Sequence, residues 1–148
     1  MKLDSRAIIN LMAIDIEKIK PEVAKVAKKH NLALVILYGS QATGKAREGS
    51  DIDVAILGKR KIPFNLLLNL NDEFAHIFKT RELDVKSLHS TNPFFRYQVM
   101  RDGILLYGKS YDYNSYKAYA FRDYHDSKDL LRLKRIIVER RLQELKTN

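Results

Sequence analysis

Two short apolar runs, separated by a glycine-rich polar segment, constrain the fold of this chain more than any other feature. Leu32-Ala33-Leu34-Val35-Ile36-Leu37-Tyr38 is continuous and ends on Gly39, the pattern of a strand buried on both faces. Asp51-Ile52-Asp53-Val54-Ala55-Ile56-Leu57 reads as a second strand, closed by Gly58 and the basic Lys59-Arg60-Lys61. Between them, Gly39 to Ser50 is small and polar with three glycines, enough for a turn and a short helix. Two such strands need a sheet around them and helices to cover it.

The remaining sequence supplies both. In residues 1–30, Asp4 or Ser5 is placed to cap a helix carrying Ile8, Ile9, Leu11, Met12, Ile16 and Ile19. Pro21 suits the first turn of a second short helix with Val23, Val26 and Ala27, ending near Asn31. A helix is expected from about Pro63 to Lys79, with Leu66, Leu67, Leu70, Phe74, Ile77 and Phe78 as its stripe. Glu82-Leu83-Asp84-Val85-Lys86 alternates strictly and predicts a third, half-buried strand. Pro93 starts a helix that stops at Asp102-Gly103, and Ile104-Leu105-Leu106-Tyr107 is a short fourth strand. From about Tyr113 the chain reads as helix to its end, with Leu130, Leu131, Leu133, Ile136, Ile137, Leu142 and Leu145 on a broad apolar face. The expectation is an α/β architecture with helices at both termini. At 148 residues and 45% apolar content, that is one domain with one core.

The chemistry concentrates where the two strands meet. Asp51 and Asp53 stand i and i+2 on a strand, so their carboxylates leave the same face. Two carboxylates a few ångströms apart repel one another unless a cation neutralises them. With no cysteine in the chain and no histidine close by, an oxygen-only set suits a hard ion, Mg²⁺ above all. Asp84 alternates with Leu83 and Val85 and also faces away from the core. If the third strand pairs with the second, three carboxylates converge, the geometry of two-metal phosphoryl or nucleotidyl transfer. Gly39 permits close approach of a bulky ligand, and Ser40 at a helix start aims N–H groups and a hydroxyl toward a phosphate. Lys45 and Arg47 add positive charge nearby.

The pattern Gly39-Ser40, ten residues, Asp51-x-Asp53 resembles the signature of the DNA polymerase beta-like nucleotidyltransferase superfamily. Its surroundings, Leu37 to Gly44 and Glu48 to Ile56, are similar to those of the minimal nucleotidyltransferases, the MNT branch. Leu83-Asp84-Val85 and Asp102 to Tyr107 resemble that branch's third acidic strand and closing strand. The resemblance spans about residues 32–108. It implies the nucleotidyltransferase fold, a small mixed sheet of about four strands packed with helices, with flanking helical segments at 1–30 and 110–148.

It also implies an activity. MNT proteins are commonly encoded beside an all-helical HEPN ribonuclease toxin and act as its antitoxin, transferring AMP from ATP to a toxin tyrosine. By that likeness Gly39 and Ser40 bind the triphosphate, with Lys45, Arg47 and Ser50 as further nucleotide-binding candidates. Asp51, Asp53 and Asp84 are then the catalytic carboxylates and the ligands of two Mg²⁺ ions. Gln41 departs from the basic residue often found after Gly-Ser in this branch, which leaves Lys45 or Arg47 as substitutes. The HEPN pattern, an arginine four to six residues before a histidine, does not occur here, so the toxin is expected as a separate partner. Two other readings are a small-molecule nucleotidyltransferase of the aminoglycoside type and a non-catalytic antitoxin that acts by binding alone.

Charge and the remaining residues narrow this further. The net charge of +9 suits ATP and an acidic toxin surface, and no nucleic-acid recognition motif accompanies it. No run of about 18 uncharged apolar residues exists to span a membrane. Met1-Lys2-Leu3-Asp4 does not begin a signal peptide, so the cytoplasm is the expected location. His30, His76, His89 and His125 show no metal spacing and read as surface or helix-end residues. The Tyr-rich segment 111–119 is expected to pack on the domain as an amphipathic helix, and Phe121 to Asp126 is a candidate docking edge. The apolar face of residues 8–19 would be buried by a second copy or by the toxin.

Overall fold

The computed structural model describes residues 14–47 and 49–147. Helix α1 (Ile16–Lys29) leads into β1 (Leu32–Tyr38), the one-turn α2 (Ser40–Thr43) and β2 (Ile52–Gly58). Then come α3 (Phe64–Phe78), β3 (Leu83–Ser87), a 3₁₀ turn (Leu88–Ser90), α4 (Pro93–Asp102), β4 (Ile104–Tyr107) and the long α5 (Ser110–Lys146). The four strands form one mixed sheet in the order β3-β2-β1-β4. Strand β1 runs antiparallel to β2 and β4, whereas β2 and β3 are parallel.

Strand alternation divides the core between the two faces of this sheet. Val35, Leu37, Val54, Ile56 and Val85 point to one side, where α1 and α3 cover them with Val23, Ala27, Leu70 and Phe74. Leu34, Ile36 and Ala55 point to the other, under Val99 and Met100 of α4 and Ala120 of α5. Strand β1 is thus buried on both sides, as its unbroken apolar run predicts.

Residues 16–29 form one helix where two are expected around residue 21. Asp15 caps it, accepting a bond from the Lys18 N–H at 3.3 Å, and Pro21 lies inside it. Proline there removes the bond to the Glu17 carbonyl and crowds that carbonyl, a local cost that packing must offset. The stripe Ile16, Ile19, Val23, Val26 runs straight through at helical spacing, and burial of Val23 and Ala27 favours continuing the helix. The cap and apolar positions expected at Asp4, Ser5, Ile8, Ile9, Leu11 and Met12 lie outside the described residues.

Helix α4 begins as its sequence dictates, with Asn92 accepting from the Phe95 N–H at 2.8 Å and Pro93 in the first turn. It ends at Gly103, where the backbone turns extended (φ −73°, ψ 157°) and only glycine fits, since a Cβ would fall 2.4 Å from the Val99 carbonyl oxygen and 2.5 Å from Ile36. Helix α5 starts three residues earlier than expected. Its first half packs on α4 through Tyr97 stacked on Tyr124 at 4.4 Å, Tyr97 against Phe121, and an Arg96–Asp123 ion pair at 2.9 Å. Part of the predicted docking edge is therefore spent on intramolecular packing. Tyr113 and Tyr116 join the core beneath, while Tyr111 and Tyr119 stay exposed. Among the described residues no helix is long and apolar enough to cross a membrane.

Candidate active site

The sheet register brings the predicted acids together. Tyr38 at the end of β1 pairs with Asp53 on β2, and Asp53 pairs in turn with Asp84 on β3. These three side chains stand in a row on the face covered by α4, at the sheet end that β1 leaves as it enters the Gly39 turn. Asp51 precedes β2 and, two residues before Asp53, faces the same side. The pairing of the third strand with the second, on which the carboxylate convergence depended, is present.

Gly39 explains why this turn admits no other residue. Its backbone (φ 74°, ψ −153°) lies in a region that only glycine occupies without strain. An added Cβ would come 2.4 Å from Asp53 Oδ2 and 3.2 Å from its Cγ. The missing side chain is therefore the space that the Asp53 carboxylate fills. Ser40 follows at the head of α2, where the Ala42 and Thr43 N–H groups bond the Gly39 carbonyl at 3.1 and 3.2 Å and the Ser40 and Gln41 N–H groups precede the first helical bond. Gly44, at φ 73°, ends that turn, and the Lys45 N–H closes back onto the Ser40 carbonyl at 3.1 Å.

Electrostatics mark the acids as a strained cluster of negative charge. Burial, then Asp84, then Asp51 push the Asp53 carboxyl above its ordinary range, and Lys86 opposes them. The Tyr38 phenol is pushed above its range by burial first, then by Asp53 and Asp84. Its hydroxyl is buried without a hydrogen-bond partner among the described residues, and its ring meets Phe95 of α4 edge-on at 5.3 Å. Lys86 Nζ lies 3.3 Å from Asp84 Oδ2 and 5.6 Å from the Phe95 ring centre. Lys86, Tyr38 and Phe95 were not among the site residues expected from sequence. Lys86 was legible all the same, because it stands two residues after Asp84 on an alternating strand and must share its face.

The donor set suits a hard cation: oxygen ligands, a carboxyl disfavoured in its charged form by its neighbours, and a lysine already drawn to one of them. Among the described residues no three His, Cys, Asp or Glu side chains close around a single point. Asp53 and Asp84 are neighbours, Asp51 stands further into solvent, and the Asp84 carboxylate turns to Lys86.

The other expected residues sit on the loop leading to β2. The Ser50 hydroxyl accepts from the Arg47 N–H at 2.8 Å, and the Ser50 N–H returns a bond to the Arg47 carbonyl at 3.0 Å. Ser50 thereby fixes the turn before Asp51. Lys45 and Arg47 are exposed. Asp102 at the end of α4 is held below the usual carboxylate range by its bond to Arg101, with Lys45 contributing through its charge. A cleft of about 640 Å³ lined by Leu32, Ala33, Lys59 and Tyr107 opens at the opposite end of the sheet, away from the acids. At the acidic row Asp51 and Asp84 are exposed and Asp53 is half-buried.

Residues 17–112 match the family described as "Polymerase beta, Nucleotidyltransferase". The fold is similar to a chain of a toxin–antitoxin pair solved with AMP-PNP, at 21% identity and a TM-score of 0.67, covering 83% of this chain and 98% of that one. It is similar also to a chain in the complex of a tri-AMPylated Shewanella oneidensis HEPN toxin with its MNT antitoxin, at 19% identity and a TM-score of 0.63, covering 86% and 98%. A structure described as a minimal nucleotidyltransferase is 26% identical with a TM-score of 0.53, covering 63% of this chain and 97% of its own. No curated protein matches the sequence significantly.

Proposed function

The chain belongs to the polymerase beta nucleotidyltransferase family, and from that premise we propose that it is an MNT-type antitoxin that transfers AMP from ATP to a tyrosine of a cognate HEPN-type toxin. The observation that carries the transfer chemistry is the Asp53–Asp84 pair, in register and fitted against the Gly39 turn. Support for the acceptor comes from the fold's likeness to chains of toxin–antitoxin complexes, one solved with AMP-PNP and one holding a tri-AMPylated HEPN toxin with MNT antitoxin.

In this reading the Gly39-Ser40 turn binds the triphosphate through its backbone N–H groups and the Ser40 hydroxyl. Lys45 and Arg47 supply the positive charge that Gln41 lacks. Asp51 and Asp53 hold Mg²⁺, with Asp84 as the third carboxylate. When bound there, Mg²⁺ would supply positive charge against the triphosphate and the developing phosphoryl charge. Asp84 accepts the proton of the acceptor hydroxyl as its oxygen bonds to the α-phosphorus. The bond from that phosphorus to the bridging oxygen breaks, and pyrophosphate leaves with the electron pair. For Asp84 to act this way its carboxylate must turn from Lys86, and both groups are exposed enough to move.

Incubating the chain with ATP labelled at the α-phosphate, Mg²⁺ and the neighbour-encoded helical protein tests the proposal. Label appears on that protein with the wild-type chain and is lost with Asp51→Ala/Asp53→Ala. Label that persists with the double variant would sink the assignment.

A further inference from the structure

Helix α5 is 37 residues long, about 55 Å at 1.5 Å per residue, and only its first half touches the domain. Every residue from Lys128 to Thr147 is exposed. This segment carries eight large apolar side chains in solvent, among them Leu130 at 68% and Leu131 at 63% exposure. Such a surface is far beyond the scattered apolar residues of an ordinary monomer.

Their arrangement narrows what covers them. At about 3.6 residues per turn the apolar side chains spread over roughly two thirds of the circumference, in two stripes rather than one. Leu130, Leu133 and Ile137 form the first stripe; Leu131, Val138 and Leu142 form the second. Lys134 and Arg141, two turns apart, lie between them. A flat lipid surface that buried both stripes would draw these two charges into hydrocarbon, which disfavours a membrane. A second copy is disfavoured by charge: residues 128–147 hold seven basic and three acidic groups, so pairing sets one net charge of +4 against another.

We propose that residues 128–147 of α5 dock into a groove between two helices of a protein partner, whose carboxylates on the groove floor meet Lys134 and Arg141. The two walls of such a groove cover the two stripes, and its acidic floor takes the charges between them. This rests on the toxin-partner reading above and adds the surface by which the partner is held. The site acids stand at β2 and β3 and share no residue with the exposed half of α5, so docking and transfer are separable by mutation.

The test uses the full chain and the neighbour-encoded HEPN-type protein, with binding measured by calorimetry. Leu131→Asp/Val138→Asp and Leu130→Asp/Ile137→Asp each weaken the complex by at least about 100-fold. Lys134→Glu/Arg141→Glu, which leaves the apolar stripes intact, weakens it by about tenfold or more and flattens its salt dependence. Asp51→Ala/Asp53→Ala binds as wild type while losing transfer. A wild-type complex that survives all three pairs overturns the docking surface but not the transfer reading. Absence of any wild-type complex overturns the partner reading and this proposal with it. A chain that sediments as a dimer until the leucines are changed, or that binds mixed phosphatidylcholine–phosphatidylglycerol vesicles through them, also overturns it.

Discussion

Replacing Gly39 by alanine is the sharpest perturbation of the site, because two independent penalties fall on one methyl group. The first is conformational: φ 74° with ψ −153° is a glycine region, and a side-chain residue held there costs about 1–3 kcal/mol. The second is steric. The new Cβ would stand 2.4 Å from Asp53 Oδ2, so the carboxylate must swing off its preferred rotamer, at about 0.5–1.5 kcal/mol. Together Gly39→Ala is expected to lose about 1.5–4.5 kcal/mol, read as a lower urea midpoint with an unchanged slope. A double-mutant cycle separates the two terms. In an Asp53→Ala background the steric part vanishes and the conformational part stays, giving a coupling of about 0.5–1.5 kcal/mol. Nucleotide transfer falls at least about 100-fold, since the displaced carboxylate is one proposed to hold the metal. An alanine variant as stable and active as wild type would refute the close-packing account, and zero coupling would refute its steric half.

Removal of the Lys86 charge, as Lys86→Met, should tighten Mn²⁺ binding to the nucleotide-free chain by about 3–10-fold, because a cation now beside Asp84 no longer competes. Unchanged affinity by calorimetry would place Lys86 outside the ion's surroundings. Glu73 on α3 bonds His30 at 2.7 Å and Lys29 at 3.2 Å; burial raises its carboxyl, but these bonds win and the net shift is downward. A depressed carboxyl stabilises the fold above its unfolded pKa and ceases to as pH falls through its folded value. Glu73→Gln should therefore lower the unfolding free energy at neutral pH by less than about 1 kcal/mol given its exposure to solvent, read from urea titrations, and match wild type in strong acid. A pH-independent difference would contradict the ion-pair reading. Gly103→Ala, whose Cβ meets the Val99 carbonyl and Ile36, should lower thermal stability without changing Mn²⁺ affinity.

Much of this was legible in the chain, for identifiable reasons. Continuous apolar runs and strict alternation follow from strand geometry, so β1, β2, β3 and the facing of Asp84 could be read directly. The β2–β3 pairing could only be posed as a condition, because register is a long-range property that no local spacing encodes. Pro21 carries a local helix-start preference, but the apolar stripe continues on both sides of it and its burial decides for one helix. The apolar half of α5 was visible as a pattern, but its lack of any cover within the domain was not, since periodicity is the same for buried and exposed helices. Lys86 shares the face of Asp84 by strand alternation, but its contact with that carboxylate depends on a side-chain rotamer that no spacing encodes.

The central claim is that the Asp51–Asp53–Asp84 row moves a nucleotidyl group onto a protein hydroxyl. ATP labelled at the α-phosphate and ATP labelled at the γ-phosphate, supplied in parallel with Mg²⁺ and the neighbour-encoded helical protein, test it most directly. The α-label should become covalently bound to that protein while the γ-label leaves as pyrophosphate, and Asp53→Asn should abolish the difference. Transfer of the γ-label, or α-label attached with all three aspartates replaced by alanine, would contradict the account.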